Sequence, residues 1–208
     1  MNPVPPPISI FENGLHPLNR LTYHSYGEVV EGSWKILMTA QKTGDWLLEA
    51  ESWICIAQYE KDRGNYKHTR KYLQKALRIL RNYSTQLDWR GYQYYSHIYC
   101  LFGNAADESG EYANALKYHR KSYEYGLVAN DGFSEQRGLC NLGQVSHAIG
   151  NLNNAIDYSL KAIHCEYRNE RFICTAYETI ATVMMENFFW NDALFYLEHA
   201  FEVVTQNK

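Results

Sequence analysis

Apolar residues recur at helical spacing along most of the chain. In the segment 67–81, basic residues alternate with apolar ones, which puts the apolar side chains on one face of a helix. The apolar members are Tyr72, Leu73, Ala76, Leu77 and Ile79. All five prolines lie in the first 17 residues, and proline breaks helix interiors. We therefore predict a helical body over residues 21–208 and a proline-rich flexible leader over residues 1–20.

A turn pattern repeats within the helical body. Gly64, Gly110 and Gly150 are each followed by a polar residue, then Tyr or Leu, then a small residue three positions further on. Such a glycine ends a helix in the left-handed conformation, and the small residue lets the next helix lie close to its neighbour. A weaker fourth copy spans residues 188–194 and lacks the glycine. The pattern predicts four helix–turn–helix units.

The helices on either side of each turn carry a matching signature. The first helix has a large residue, then a second large residue directly followed by Gly or Ala, and the second helix has a small residue near its middle. The four sets are Trp53, Ile56, Ala57 and Ala76; Tyr99, Phe102, Gly103 and Ser122; Leu139, Leu142, Gly143 and Ala162; Tyr177, Ile180, Ala181 and Ala200. We expect the small residues to allow close approach of the two backbones.

These sets resemble the tetratricopeptide repeat pattern, and the resemblance covers about residues 46–206. The small residues that follow the turns are separated by 46 residues from Thr69 to Ala115, by 40 from there to Ala155 and by 38 to Ala193. The usual repeat has about 34 residues and ends in proline, which is absent here. The long repeats are similar in style to the 40-residue repeats of the Pins/LGN family, with kinesin light chain as a looser relative.

The resemblance implies an all-α fold, a right-handed superhelical solenoid of about nine helices. We expect the solenoid to fill residues 21–208. Its predicted parts are a degenerate leading helix over 22–42 and repeats over about 46–84, 88–128, 131–167 and 169–206.

Composition narrows the classes of partner. The net charge is −3, which gives no electrostatic footprint for nucleic acid. Neither a basic, apolar signal segment at the start nor a long apolar run is present, so we expect no secretion and no membrane partner. The five cysteines fit small core residues in a reducing compartment, and we predict a cytoplasmic protein.

Candidate chemistry is sparse. His164, Cys165 and Cys174 have a spacing that matches no zinc pattern, and the glycines form no phosphate-binding loop. Asp62 and the pair Asp107 and Glu108 lie near helix ends, where solvated charge is the ordinary interpretation. We therefore predict that the protein is not an enzyme and binds neither a metal nor a cofactor.

In the tetratricopeptide fold the first helix of each repeat lines a concave groove. By register, the predicted peptide-binding residues are Gln58, Lys61, His97, Asn104, Asp107, Arg137, Asn141, Gln144, His147, Thr179 and Thr182. Amide side chains both donate and accept hydrogen bonds, which suits an extended peptide backbone. The resemblance thus implies a scaffold or adaptor that holds a linear segment of another protein. Two alternatives stay open: a structural subunit that uses its ends and convex face, and a receptor for a short signalling peptide.

The C-terminal helix, about residues 190–206, is apolar nearly all the way round. Its apolar members include Trp190, Leu194, Phe195, Leu197, Phe201 and Val204. One amphipathic stripe needs fewer apolar residues than this. We expect a second copy of the chain, a partner subunit or further residues to cover the excess.

Overall fold

A computed structural model describes residues 26–205. The predicted leader over residues 1–20 lies outside the described residues and stays a prediction. Within residues 26–205 there are nine α-helices and no strand. They are α1 (Tyr26–Thr43), α2 (Trp46–Asp62), α3 (Tyr66–Asn82), α4 (Trp89–Asp107), α5 (Tyr112–Val128), α6 (Gly132–Ala148), α7 (Leu152–Ile163), α8 (Glu170–Glu186) and α9 (Trp190–Thr205). The predicted all-helical solenoid is confirmed.

The helices stack in chain order. α2 packs on α3, α4 on α5, α6 on α7 and α8 on α9, and each pair packs on the next. Successive first helices, α2, α4, α6 and α8, also approach one another directly. Second helices of successive pairs do so much less within residues 26–205. The stack therefore curves, with its first helices on the inner side.

Glycine in the left-handed conformation makes the turns. Gly64, Gly110 and Gly150 have φ between 73° and 75°, and the residue after each donates its N–H to a carbonyl five residues back. This bond closes the end of the first helix. Phe188 holds the equivalent place in the fourth pair with φ 64°, a conformation that is costly for a side chain of its size.

The small residues of each first helix lie where the backbones approach. A Cβ atom added to Gly103 would lie 2.4 Å from Cε1 of His119, and one added to Gly143 would lie 2.8 Å from Oγ of Ser159. Ala57 and Ala181, at the equivalent places, are fully buried. The spacing of the four copies therefore has a direct steric cause.

A repeated bond that the sequence did not reveal joins the two helices of three pairs. Ser96 Oγ donates to the carbonyl of Ser122 at 2.8 Å, and Gln136 Nε2 donates to the carbonyl of Ala162 at 2.9 Å. Cys174 Sγ makes the same contact with the carbonyl of Ala200 at 3.4 Å. Each donor lies 26 residues before its acceptor. The bond satisfies a buried donor at Ser96 and Gln136 and a half-buried one at Cys174, and it fixes the register of the pair.

Candidate functional site

The inner side of the stack is a groove formed by the first helices. Each of these helices presents four residues at spacings of 4, 3 and 3, a pattern that keeps them on one helix face. We call these sixteen positions the inner lattice. Its members are Glu51, Cys55, Gln58 and Lys61 on α2; His97, Leu101, Asn104 and Asp107 on α4; Arg137, Asn141, Gln144 and His147 on α6; and Thr175, Thr179, Thr182 and Met185 on α8.

One row of the inner lattice directly follows the close-packed Gly or Ala of each first helix. The row is Gln58, Asn104, Gln144 and Thr182. Gln58 Nε2 donates to Asp62 at 2.7 Å, and the Thr182 hydroxyl donates to the carbonyl of Glu178. The side-chain amides of Asn104 and Gln144 neither donate a hydrogen bond to another described residue nor accept one from it. The middle of the row is therefore open to a ligand.

The next row carries charge at the C-terminal ends of the first helices. Lys61 Nζ lies 2.9 Å from Asp62 and 3.4 Å from Glu108. Burial lowers the pKa of Lys61, but these two carboxylates outweigh it and raise that pKa above its usual value. Burial, followed by the charge of Glu108, raises the pKa of Asp107.

His147 is the α6 member of the same row. Its Nε2 lies 3.0 Å from Oε1 of Glu186 at the end of α8. Because Glu186 is half-exposed, this pair lies at the surface, where such ion pairs stabilise little. The carboxylates of Asp62, Asp107, Glu108 and Glu186 give this edge of the groove an acidic character.

The row nearest the N-terminal ends of the first helices consists of Glu51, His97, Arg137 and Thr175. It contains one residue, Glu51, that the sequence analysis missed. Glu51 stands at the place that His97 and Arg137 occupy in the next two pairs, and it is 5% exposed. Tyr94 forms a side-chain hydrogen bond with Glu51, and burial, then this carboxylate, raises the pKa of Tyr94. Arg137 lies over the ring of Phe133 and donates to Ser134. Residue-type patterns could not find Glu51, since a lone carboxylate in a helix has no signature.

In the remaining row, the side chains mostly contact other parts of the protein; its members are Cys55, Leu101, Asn141 and Thr179. Asn141 donates to Nδ1 of His119 at 3.3 Å and lies 3.5 Å from the Cys100 sulfur. Thr179 is buried and donates to the carbonyl of Thr175. The Asn141 side chain thus links α6 to α4 and α5, whereas the Thr179 bond lies within α8. The positions that face solvent in the groove are those nearer the C-terminal ends of the first helices.

The candidate metal ligands lie in ordinary surroundings. The Cys174 thiol donates a hydrogen bond to the carbonyl of Ala200. Burial, and after it the charge of Glu135, raises the pKa of Cys165 to about 11. No group of three or more His, Cys, Asp or Glu residues in the described part of the chain is placed to hold a metal ion. All five cysteines are free thiols. Of the helices between residues 26 and 205, none has the length and apolarity needed to cross a membrane.

Comparison with known proteins supports the fold. No protein-family model matches the sequence, and neither does any curated protein. The structure is similar to the crystal structure of BtubC (BKLC) from P. vanneervenii, with a TM-score of 0.66 and 14% identity over 93% of this chain and 87% of that one. It is also similar to the crystal structure of MamA, with a TM-score of 0.60 and 16% identity over 86% of this chain and 88% of that one. At such identities these likenesses indicate the fold alone, and that fold is an all-helical solenoid of tetratricopeptide type.

Proposed function

We propose that this protein is a non-catalytic adaptor whose groove binds a linear segment of another protein. The groove side chains of the inner lattice are mostly polar or charged, although their helices are packed on both sides by other helices. A side chain that only filled space between helices would be apolar. A polar lining suits the amide groups of a bound peptide.

One observation carries the proposal. Asn104 and Asp107 on α4 and Gln144 on α6 are polar, and α4 and α6 contact each other directly. Within residues 26–205, no hydrogen bond or ion pair involves these three side chains. Asn104 and Asp107 are half-buried, and Asp107 is desolvated enough to raise its pKa. Partly desolvated polar groups without partners gain most from a ligand that supplies hydrogen bonds.

The charge of the groove edge narrows the ligand. Asp62, Asp107, Glu108 and Glu186 line the edge, and Lys61 is already paired with two of them. A segment with Lys or Arg on one side would complement these carboxylates. The proposal therefore includes a peptide that has basic residues facing the C-terminal ends of the first helices.

Two narrower parts of the proposal rest on the sequence. The repeat spacing and the segment 141–144 support a resemblance to the Pins/LGN repeats, and the five free thiols support a cytoplasmic location.

The experiment compares two triple variants on a peptide array and then in solution. Asn104→Ala, Asp107→Ala and Gln144→Ala change the open part of the groove. Lys117→Ala, Arg120→Ala and Glu124→Ala change exposed residues on α5 and form the control. We expect the selected peptide to lose at least tenfold in affinity with the groove variant and to keep its affinity with the control. Equal binding by both variants would contradict groove binding.

A second candidate, a structural subunit of a larger assembly, is favoured by one observation. Five large apolar side chains of α9 are exposed on one face: Trp190, Leu194, Leu197, Phe201 and Val204. Expression alone discriminates the two roles, because a subunit that depends on its assembly would aggregate or self-associate when purified.

A further inference from the structure

The last helix has two apolar stripes, of which the fold uses one. Ala193, Tyr196, Ala200 and Val203 face α8 and are buried or half-buried. The second stripe is exposed, with Phe201 70% and Trp190 60% accessible. We call this second set the terminal stripe, and its members are Trp190, Leu194, Leu197, Phe201 and Val204. Their spacings of 4, 3, 4 and 3 are those of a helix face that packs against another helix.

The equivalent places in the earlier second helices show what such a face receives. Phe201 corresponds to Leu77, Tyr123 and Ile163. Leu77 and Ile163 each belong to a buried cluster that includes the first helix of the following pair, and Tyr123 contacts Gly138 of α6. Leu194 corresponds to Leu116, which packs against Val145 of α6. The terminal stripe is therefore continuous in register with three helix–helix interfaces inside this molecule, and its shape fits an α-helix.

The crossing inside the molecule also indicates the form of that helix. Where α6 crosses α5, Gly138 lies so close to Tyr123 that an added Cβ would be 2.9 Å from the tyrosine Cβ. A helix that crosses α9 in the same way needs a small residue opposite Phe201. The rest of its contact face would be apolar at spacings of three and four.

The charged residues beside the terminal stripe indicate which charges a bound helix should carry. Asp192, Glu198 and Glu202 are exposed on α9, and its sequence from Trp190 to Thr205 contains no Lys or Arg. Asp192 lies on the far side of the helix. Glu198 and Glu202 lie along one edge of the terminal stripe and line a shallow pocket with Leu194, Leu197 and Phe201. Basic flanks on the docked helix would complement these carboxylates.

A second copy of this chain is a poor match for the same surface. Antiparallel pairing of α9 with another α9 would bring the Glu198 and Glu202 carboxylates of both copies to the same side, which is unfavourable. Between residues 30 and 43 of α1, the exposed charged side chains are Glu31, Lys35 and Lys42, and the exposed large apolar side chains are Trp34 and Met38. Trp34 is moreover engaged with Trp53 and Tyr72.

From this register and charge we infer that the terminal stripe is a second binding site, separate from the groove, for an amphipathic α-helix of a partner protein with small residues at its crossing point and basic flanks. The partner helix occupies the place that the first helix of a following pair would take. The molecule would then bind one partner in its groove and a second at its end.

Two synthetic helical peptides test the inference with the full-length chain. Both carry one stripe of Leu and Ala at spacings of three and four; one has Lys on its flanks and its twin has Glu. Fluorescence anisotropy of the labelled peptides gives their dissociation constants. We expect the Lys peptide to bind at least tenfold more tightly than the Glu peptide in low salt, with the difference shrinking as salt is added.

Two pairs of variants locate the binding. Leu194→Ala with Phe201→Ala should weaken the Lys peptide at least tenfold, and Glu198→Gln with Glu202→Gln should reduce both its affinity and its salt dependence. Leu127→Ala with Val128→Ala, on exposed α5 positions, is the matched control and should change nothing. The triple groove variant should also bind normally, so the two sites fail or succeed independently.

The inference is overturned by any of three results. The Lys and Glu peptides bind equally or not at all; the Leu194 and Phe201 variant binds as the wild type does; or light scattering shows a dimer that becomes monomeric when Phe201 is changed. The third result would assign the terminal stripe to a second copy of the chain.

Discussion

At the scale of single residues, close packing between the two helices of a pair is the feature that mutation tests most directly. Gly143→Leu would place a side chain against Ser159, which is buried and has little room to move. Overpacking of this kind destabilises by ~1–3 kcal/mol. We expect a lower free energy of unfolding in urea titrations. Gln144→Leu, on an exposed neighbour, is the control, and an unchanged stability of Gly143→Leu would contradict the assigned register.

The fourth turn provides a test with the opposite sign. Phe188 is 76% exposed and has φ 64°, where three earlier turns have glycine. The left-handed conformation costs a residue with a side chain ~1–2 kcal/mol. Replacing Phe188 by glycine removes this cost, but it also raises the entropy of the unfolded chain, which offsets part of the gain in stability. Phe188→Gly should therefore raise the melting temperature. Phe189→Gly, at an ordinary φ, should lower it, and the same response from both variants would argue against strain at Phe188.

The role of a residue could be predicted from the sequence where it depends on side-chain size, but not where it depends on the hydrogen-bond partner of the side chain. The sequence identified Gly103 and Gly143 because small residues recur at fixed spacing. It did not identify the bonds from Ser96, Gln136 and Cys174, since three chemically different side chains make them. It also placed Asn141 in the groove as a ligand residue, whereas its amide donates to His119. The groove assignment of the other residues stays a prediction, and sequence alone does not show which side chains on a helix face are already engaged with neighbouring helices.

At the scale of helices, α5 carries a buried histidine that makes stability depend on pH. Burial, then the charge of Arg137, lowers the pKa of His119 from 6.5 to about 3. In the unfolded chain the pKa is about 6.5, so between pH 6.5 and 3 the unfolded state binds the proton and the folded state does not. The stability that neutral His119 contributes is thus complete above pH 6.5 and is lost as the pH falls toward 3.

Urea unfolding at pH 7 and pH 5 measures this contribution. Wild type should lose stability with falling pH by up to ~1.4 kcal/mol per pH unit more than His119→Gln does, because one proton is linked to unfolding. Contributions of the other titrating groups are common to both proteins. Parallel pH profiles would show that His119 is protonated in the folded state as well.

Helix existence was easier to predict than helix function. Apolar spacing and the glycine turns predicted the helices, because both are local signals. The turn between α1 and α2 was not predicted, although Gly44, Asp45 and Trp46 follow the same order of glycine, polar and aromatic residue. Gly44 takes φ 73°, and Asp45 donates its N–H to the carbonyl of Ala40. This turn has the same geometry as the turns inside the pairs, although the small residue that follows the other turns is missing here.

At the scale of the whole molecule, the solenoid presents an inner groove and an end face with different chemistry. The groove is polar and acidic along one edge, whereas the end of α9 is apolar with acidic flanks. The sequence predicted both surfaces, since register assigns faces to helices. It could not say which groove side chains face solvent, because that depends on contacts between residues of neighbouring repeats. Lys61 and Glu108, for example, are 47 positions apart.

Site-specific photo-crosslinking tests groove binding by an adaptor most directly. A benzophenone amino acid is placed in the groove at Gln144 or at Gln58, and on the convex side at Lys117, in the intact protein in cells. We predict that mass spectrometry finds one linear segment of the same partner crosslinked from both groove positions and absent from the convex one. Crosslinks that form only at Lys117, or that join unrelated proteins at the two groove positions, would contradict the account.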